Sequence, residues 1–283
     1  MINNPSSSDI PSLKTMWKLC FPADSAQFID FYFERIFKAN QSLALWENGM
    51  LVAFLQILPY QIKIGDKIHN AGYISGAMTH PDRRKKGYMQ QLLLAVFEEM
   101  KKGNYVFTFL IPQEKWLFDF YAKYGYKKAF PVTAETANLV NINVDSKTVE
   151  VYSNFENLPL DEIYHLYSNF LFQKENVVLK TKEQFCFILE DLFLSEGCVF
   201  YLKENGIAFV VKDESAILIK EIFYTTNNCK QFLLSAIGKK FHVNKMTIRN
   251  AQSDSHLYGM IKVLDKSYTE IPPKNIYMSM MLN

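Results

Sequence analysis

The chain has 283 residues, of which 49% are hydrophobic and 21% charged, a balance that is typical of a globular protein and excludes a disordered one. Lys and Arg number 31 and Asp and Glu number 29, so the net charge of +2 provides no broad basic surface, and we expect neither nucleic acid nor a membrane as a partner. The length favours two domains, each with an ordinary hydrophobic core.

Cysteine usage and the N-terminal residues bear on the cellular compartment. The four cysteines lie far apart, without a CxxC pair or a histidine at zinc-binding spacing, so we expect reduced thiols and no metal. Residues 1–10 lack the basic and apolar segments of a signal peptide, and no apolar run is long enough to cross a bilayer. These features predict a cytoplasmic protein.

Apolar spacing in the first half of the chain predicts two helices, a meander of strands and then alternating helices and strands. The clearest helix is residues 87–101, where apolar residues recur every three or four positions along one face. The predicted helices are residues 13–21, 25–38, 87–101 and 114–124, and the predicted strands are residues 42–47, 51–58, 67–79 and 105–111, with a break near Gly72. This order predicts a mixed α/β sheet.

A polar stretch at residues 145–154 predicts a domain boundary, which divides the chain into domains of residues 1–145 and 146–283. The second domain repeats the element order of the first without repeating its sequence. Its predicted helices are residues 161–173, 182–195 and 229–241, and its predicted strands are residues 198–203, 206–212, 216–223 and 245–249. The final apolar run, residues 277–282, is interpreted as a buried strand.

Positive charge is concentrated between the strand that ends near Thr79 and the helix that begins near Gly87, in the sequence HPDRRKKG at residues 80–87. A helix N-terminus presents unpaired N–H groups and a partial positive charge, and glycine lets a phosphate approach the backbone. The pattern therefore predicts a phosphate-binding turn that suits a pyrophosphate. It is neither a P-loop nor a Rossmann turn, because the sequence lacks both GxxxxGK[ST] and GxGxxG.

This turn, RKKGYM at residues 84–89, resembles the (Q/R)xxGx(G/A) turn of the GNAT superfamily of N-acetyltransferases, and it follows the common His-Pro-Asp lead-in. Residues 73–79, YISGAMT, and 120–126, FYAKYGY, are similar to the fourth strand of the superfamily and to its helix-to-final-strand segment. Met89 departs from the usual small residue. A bulky residue there is similar to the turn of the enhanced-intracellular-survival subfamily, which has tandem GNAT domains.

The resemblance implies a GNAT acyl-CoA N-acyltransferase fold with acetyl-CoA as the cosubstrate. It also implies that the pantetheine arm contacts backbone groups at one strand end and that the turn and the start of the helix hold the pyrophosphate. The strand residues are Ala77, Met78 and Thr79, and those of the turn and helix are Arg84, Lys85, Lys86, Gly87, Tyr88 and Met89. Residues 105–111 would form the opposite wall of the cleft.

Tyr121 matches the position of the family's general acid, which protonates the departing thiolate. A tyrosine hydroxyl, with an ordinary pKa of about 10, is protonated at neutral pH and can donate this proton. Tyr124 and Tyr126 are nearby alternatives, and core packing is the structural alternative for Tyr121. No side chain stands out as the base. In the resembled subfamily the terminal carboxylate enters the active site, which leaves a role for Asn283 open.

The second domain is interpreted as a degenerate GNAT-like domain. Its corresponding turn, residues 224–228, has no glycine and no cation before Lys230, so it offers no cradle for a pyrophosphate. Residues 258–262, YGMIK, resemble a segment found late in the second domain of the same subfamily. We expect this domain to shape the acceptor pocket. Aromatic residues of the first domain would form the opposite wall, namely Phe28, Phe31 and Tyr32.

Three functions compete. An acetyl-CoA-dependent N-acetyltransferase would act on an amine of a small molecule or on a lysine-like side chain. A catalytically inactive acyl-CoA-binding regulatory module would keep the turn and lack turnover. A transferase that uses aminoacyl-tRNA, as some tandem GNAT-like proteins do, is disfavoured by the complete phosphate turn and the narrow basic surface. The sequence specifies neither the acceptor nor whether the chain forms an oligomer.

Overall fold

The computed structural model describes residues 1–139, 149–213, 216–250, 256–270 and 272–282. The predicted boundary at residue 145 and the role considered for Asn283 fall outside these residues. The first half of the chain contains β1 (Ile2–Asn3), α1 (Ile10–Cys20), α2 (Ala26–Phe31), β2 (Ser42–Glu47), β3 (Met50–Ile64), β4 (Lys67–Thr79), α3 (Tyr88–Lys102), β5 (Phe107–Leu110), α4 (Lys115–Ala122) and β6 (Lys127–Asn138). The second half contains β7 (Val149–Tyr152), α5 (Leu160–Phe172), β8 (Asn176–Leu179), α6 (Lys182–Leu194), β9 (Cys198–Leu202), β10 (Gly206–Asp213), β11 (Ala216–Tyr224), α7 (Asn227–Phe241), β12 (Lys245–Asn250) and β13 (His256–Val263).

The chain forms two compact units, and neither is continuous in sequence. The first unit comprises Met1–Ile62, Lys67–Ala129 and Gly259–Pro272, and the second comprises Lys63–Asp66, Phe130–Tyr258 and Pro273–Asn283. In the part of the chain that the structure describes, no helix has the length and apolar character needed to span a membrane.

The sheet of the first unit is mixed, with the strand order β1-β2-β3-β4-β5-β13. β2 and β3 form the predicted antiparallel hairpin, whereas β4 runs parallel to β5 with Ala71 opposite Phe107. The apolar stripe predicted for α3 is buried: Leu92, Leu93, Val96 and Met100 each have 0% exposure. The predicted mixed α/β fold is therefore confirmed.

Strand β13 joins this sheet from near the end of the chain. It runs antiparallel to β5, with Met260 opposite Leu110 and Ile261 opposite Phe109, and Met260 and Ile261 are both buried. Residues 258–262 were expected in the second domain, but from Gly259 onward they belong to the first unit. The physical reason is that β5 would otherwise leave a row of backbone groups unpaired along one edge.

Two predicted elements of the first unit differ in detail. β4 is continuous, so the break predicted near Gly72 is wrong, and the backbone instead departs from strand geometry at Gly76, where φ is +58°. A Cβ atom on Gly76 would lie 2.7 Å from Cζ3 of Trp17, so conformation and packing both require glycine. A single helix was predicted for residues 25–38. In the structure the α-helix covers only Ala26–Phe31, and a π-helical turn follows over Tyr32–Ile36.

The sheet of the second unit has the order β6-β12-β11-β10-β9-β7. β10 and β11 are antiparallel, whereas β11 and β12 are parallel and pair at Leu218–Thr247 and Ile219–Ile248. The three helices and four strands predicted for this half are all found, with bounds shifted by two residues or fewer. Strands β6, β7 and β8 were not predicted from the apolar pattern, and β7 and β8 have only 4 residues each.

The final apolar run is buried but is not a strand, which corrects the sequence interpretation. Tyr277 forms an isolated bridge with Val177, and Met278, Met281 and Leu282 are at most 7% exposed. Beyond this bridge, a buried carboxylate holds the segment in place.

Glu221, on β11, is 3% exposed and accepts three hydrogen bonds from this segment. The donors are the hydroxyl groups of Tyr277 and Ser279, each at 2.6 Å, and the backbone N–H of Met280 at 3.4 Å. Such donors satisfy a buried carboxylate, which would otherwise be costly to bury. Glu221 therefore fixes residues 277–280 to the second unit.

Lys180 is a buried cation in the same unit, at 6% exposure, and its Nζ atom has no hydrogen-bond partner in the described part of the chain. Burial lowers its pKa from 10.5 to about 8, although the negative charge of Glu221 opposes this shift. Because the folded protein releases this proton at lower pH than the unfolded chain does, the unfolded chain binds more protons between pH 8 and 10.5. Lys180 therefore destabilises the fold below pH 8 and ceases to do so as the pH rises through this window.

Replacing Lys180 by Met should stabilise the protein, because it removes an unpaired buried ammonium group and keeps the side-chain volume. We expect the free energy of unfolding to rise by about 1–3 kcal/mol at pH 7 and by much less at pH 10. Urea unfolding at the two pH values measures this, with Lys245→Met, at an exposed position of β12, as the control. Equal effects of the Lys180 substitution at both pH values, or a loss of stability at pH 7, would contradict the prediction.

Candidate functional site

A cavity of about 570 Å³ lies within the first unit, beside the turn that follows β4. The end of β4, the turn, the start of α3 and the segment of residues 113–124 form its walls. Most residues that the sequence analysis selected line it: Ala77, Met78, Thr79, Arg84, Lys85, Gly87, Tyr88, Met89 and Tyr121. Lys86 is exposed and is not among the lining residues.

The turn leads into α3 through two residues with left-handed backbone conformation, Lys85 with φ of +64° and Gly87 with φ of +81°. Gly87 is the N-cap of α3, and within the described residues no side chain caps this helix. A Cβ atom on Gly87 would meet a single neighbour within 4 Å, the Oε1 atom of Gln90 at 3.9 Å. The first-turn amides of α3 are therefore left for a ligand, and the space in front of them is open.

The side chain of Arg84 is hydrogen-bonded to the end of β4. Its Nε atom donates a hydrogen bond to the carbonyl oxygen of Thr79 at 3.4 Å, and the thiol of Cys20 donates to the same oxygen at 3.3 Å. Burial raises the pKa of the Cys20 thiol, with Arg84 acting in the opposite direction. Because its pKa is raised, Cys20 is present as the neutral thiol. The hydrogen bond to Thr79 holds the guanidinium of Arg84 beside the cavity.

Glu47, at the end of β2, joins the two flanks of the turn. Its carboxylate lies 3.4 Å from Nη1 of Arg83, before the turn, and accepts a hydrogen bond from the hydroxyl of Tyr88, after it. The hydrogen bond with Tyr88 lowers the pKa of Glu47, aided by Arg83, and raises the pKa of Tyr88. Arg83 was not among the residues selected from the sequence, yet it lines the cavity. Nothing in the local sequence indicates its pairing with the distant Glu47.

Tyr121 faces the cavity from α4 and is 6% exposed. Burial raises the pKa of its hydroxyl above the ordinary value of 10, and the hydroxyl forms no hydrogen bond with any described residue. Tyr124 lines the same cavity. The hydroxyl of Tyr126 is instead paired with Oγ1 of Thr108 at 3.1 Å in the core, away from the lining. The geometry thus leaves Tyr121 and Tyr124 as proton donors to a ligand.

The residues at the start of α4 that line the cavity were not predicted from the sequence. Glu114 is the one carboxylate among the described lining residues, and its Oε2 atom accepts a hydrogen bond from the indole N–H of Trp116 at 2.6 Å. Trp116 is 58% exposed, which is unusual for tryptophan and places an amphipathic ring at the cavity. An indirect signal existed, because Pro112 ends the strand pattern and starts a connection of the kind that often carries function.

Two expected walls of the cavity lie elsewhere. The aromatic residues proposed for the acceptor wall belong to the core around Trp17, whose ring centre lies 4.5 Å from that of Tyr32. The hydroxyl of Tyr32 forms hydrogen bonds with the side chains of Gln56 and Ser75. These residues, Phe28, Phe31 and Tyr32, do not line the cavity. The strand expected as the opposite wall, now β5, is fully buried, and residues 113–124 take its place.

Comparison with protein families gives one match, to a model described as an acetyltransferase (GNAT) domain, over residues 2–129. This range contains the cavity and all the residues that line it. A search of curated proteins by sequence found no match.

Solved structures similar to this chain share its fold across both units. A GCN5-related N-acetyltransferase from Anabaena variabilis has 15% identity and a TM-score of 0.77, with 94% of this chain and 73% of that chain covered. Eis1 from Mycobacterium abscessus has 10% identity and a TM-score of 0.69, with 94% and 74% covered. A GCN5-related N-acetyltransferase from Kribbella flavida has 14% identity and a TM-score of 0.69, with 94% and 71% covered.

Substituting Gly87 tests the cavity, because the chain offers a matched control. Gly49, in the hairpin between β2 and β3, has a similar φ of +78°, and a Cβ atom there would meet nothing within 4 Å. Alanine at either position should cost about 1 kcal/mol in free energy of unfolding, because both adopt the left-handed conformation. Only Gly87→Ala should also weaken CoA binding, by about tenfold, since its methyl group enters the open space before α3. Equal CoA affinity of the two variants, measured by calorimetry, would contradict this.

Proposed function

We propose that this chain, whose residues 2–129 form a GNAT acetyltransferase domain, transfers the acetyl group of acetyl-CoA to an amine of a small molecule or to a lysine-like side chain. The observation that carries the proposal is that one cavity contains both an uncapped helix N-terminus, suited to phosphate, and a protonated tyrosine, suited to a leaving thiolate. Its volume of about 570 Å³ suits a small-molecule site.

The residues present fit the pyrophosphate of acetyl-CoA. The amides of the first turn of α3 would donate to the phosphate oxygens, and the glycine at position 87 leaves room for them. Arg84, fixed to Thr79, and Lys85 would supply the positive charge that a diphosphate requires. The backbone of residues 77–79 would contact the pantetheine arm, because these residues line the cavity next to the turn.

Acetyl-CoA supplies the acetyl group as a thioester, which a neutral amine attacks as the carbon–sulfur bond breaks. Tyr121 would then donate its hydroxyl proton to the sulfur, so that a thiol leaves in place of a thiolate. Burial suits Tyr121 to this role, because the raised pKa keeps the hydroxyl protonated well beyond neutral pH. The absence of a hydrogen bond to any described residue also leaves the proton available.

Glu114 would interact with the amine. As the carboxylate among the described lining residues, it can attract a cationic acceptor and accept the proton that the amine loses. Trp116 holds the carboxylate through its indole N–H and offers a ring face to an ammonium group. We therefore favour acceptors that carry more than one positive charge.

The second unit would not bind acetyl-CoA in the same way. In contrast to α3, the helix α7 is capped, because the hydroxyl of Thr226 accepts a hydrogen bond from the N–H of Cys229 at 3.3 Å. A cap of this kind occupies one of the first-turn donors that a phosphate would need, and it places a side chain at the helix end. We propose that residues 1–145 supply catalysis and that the degenerate second domain, residues 146–283, contributes to the choice of acceptor. The runner-up remains an inactive acyl-CoA-binding module.

The Tyr121→Phe variant tests the proposed acid. It should lower kcat by on the order of 10²-fold and leave the Kd for acetyl-CoA nearly unchanged, because it removes only the hydroxyl group that donates the proton. Tyr124→Phe, at a second tyrosine that lines the cavity, is the control and should keep most of the turnover. Free-thiol release over a panel of amines measures kcat, and calorimetry measures Kd.

Each outcome separates the alternatives. If the wild-type chain binds acetyl-CoA but none of the amines on the panel leads to thiol release, the inactive module is supported. Full activity of Tyr121→Phe, or loss of activity in Tyr124→Phe alone, would contradict the role given to Tyr121.

Glu114→Gln tests the preference for cationic acceptors. It should raise KM for 1,4-diaminobutane relative to butylamine by about fivefold, which corresponds to about 1 kcal/mol for an exposed charge pair. Glu98→Gln, on the surface of α3 outside the cavity, is the control. A KM ratio equal to that of the wild-type protein would show that Glu114 does not contact the acceptor.

A further inference from the structure

A second cavity, of about 720 Å³, lies within the second unit. Residues 222–224 at the end of β11 and residues 248–249 of β12 line one side of it. These strands are parallel neighbours, and their described pairs are confined to residues 218–219 and 247–248. The cavity therefore opens beyond the paired part of two parallel strands, where ligand sites of mixed and parallel sheets commonly occur.

Three cations line this cavity, and two of them have no carboxylate partner in the part of the chain that the structure describes. Lys230 forms an ion pair with Glu135 at 3.2 Å. The Nζ atom of Lys174 lies 4.1 Å from the ring centre of Tyr277, and Cζ of Arg249 lies 4.1 Å from that of Tyr258. Aromatic rings thus fix the positions of both unpaired cations without neutralising their charge.

The lining of the cavity carries three cations and two carboxylates, Glu135 and Glu175, so its net charge is positive. Burial lowers the pKa of Lys174, which Glu221 opposes, and burial also lowers the pKa of Lys220, with Arg249 acting in the same sense and Asp191 opposing it. Glu221 already accepts three hydrogen bonds from the final segment of the chain. An anion in the cavity would supply a counter-charge to Lys174 and Arg249, and a pair with a partly desolvated cation such as Lys174 is stronger than an exposed pair.

The remaining walls suit an organic ligand. Phe223 stacks on Phe170 with ring centres 5.4 Å apart and an interplanar angle of 10°, and Tyr224 lies next to it in the lining. The amide side chains of Asn176 and Asn275 also line the cavity and can donate hydrogen bonds. A few polar groups on an apolar and aromatic surface are typical of small-molecule sites.

We propose that the second unit binds a small organic anion in this cavity, with its carboxylate or phosphate group at Lys174 and Arg249 and its apolar body against Phe223 and Tyr224. This site is separate from the acetyl-CoA site, and it does not depend on the transferase function. The second unit lacks a phosphate turn, so side chains, and not backbone amides, would bind its ligand.

Two probes distinguish the sources of the charge, namely 3-phenylpropionate for a carboxylate and phenyl phosphate for a phosphate. Both are titrated into the Gly87→Ala variant, so that binding at the turn of the first unit is weakened, and calorimetry measures the affinity. We expect at least one probe to bind at millimolar concentration or tighter. Lys174→Gln and Arg249→Gln should each weaken that binding by about tenfold.

Lys245→Gln, at an exposed position on the same strand as Arg249, is the matched control and should bind like the parent. Thermal unfolding of each variant confirms that it folds, and Lys174→Arg, which keeps the charge, should retain most of the affinity. Failure of both probes to bind at millimolar concentration would overturn the proposal. Equal affinity of the folded Lys174→Gln and Arg249→Gln variants and the parent would overturn it too.

Discussion

An α-helix begins with amide groups that have no acceptor inside the helix, and the two units of this chain satisfy those groups differently. At the start of α3, Gly87 reaches the helix through a left-handed conformation and provides no side-chain acceptor, so the amides remain for a ligand. At the start of α7, the hydroxyl of Thr226 accepts the hydrogen bond itself. The residue at the cap therefore determines whether a side chain of the protein or a ligand can accept a hydrogen bond from the first turn of the helix.

The features that follow from local chemistry were predictable from the sequence. The apolar stripe of α3 and the helices and strands of the second half follow from periodicity, and the position of the turn before α3 follows from clustered cations next to a glycine. The contacts that refine the cavity join distant residues: Glu47 to Arg83 and Tyr88, and β13 to β5. No local pattern encodes such pairings, because each depends on which elements the completed sheet brings together.

The aromatic residues illustrate why composition misled the prediction of the acceptor wall. The segment around Phe28 contains enough aromatic rings to form a pocket, but these rings pack against one another and against Trp17. The hydroxyl of Tyr32 forms its hydrogen bonds in the core. Trp116 has fewer aromatic neighbours and is exposed at the cavity instead. Burial, rather than the number of rings in a segment, separates packing residues from those that can meet a ligand.

The place of β13 in the first sheet has a consequence for biosynthesis. Residues 2–129 leave the ribosome early, yet the strand that covers the edge of β5 is synthesised only after most of the remaining chain. Until then the nascent first unit carries an exposed strand edge that can pair with other chains. Synthesis of the second unit therefore sets how long this edge stays open to aggregation or to a chaperone.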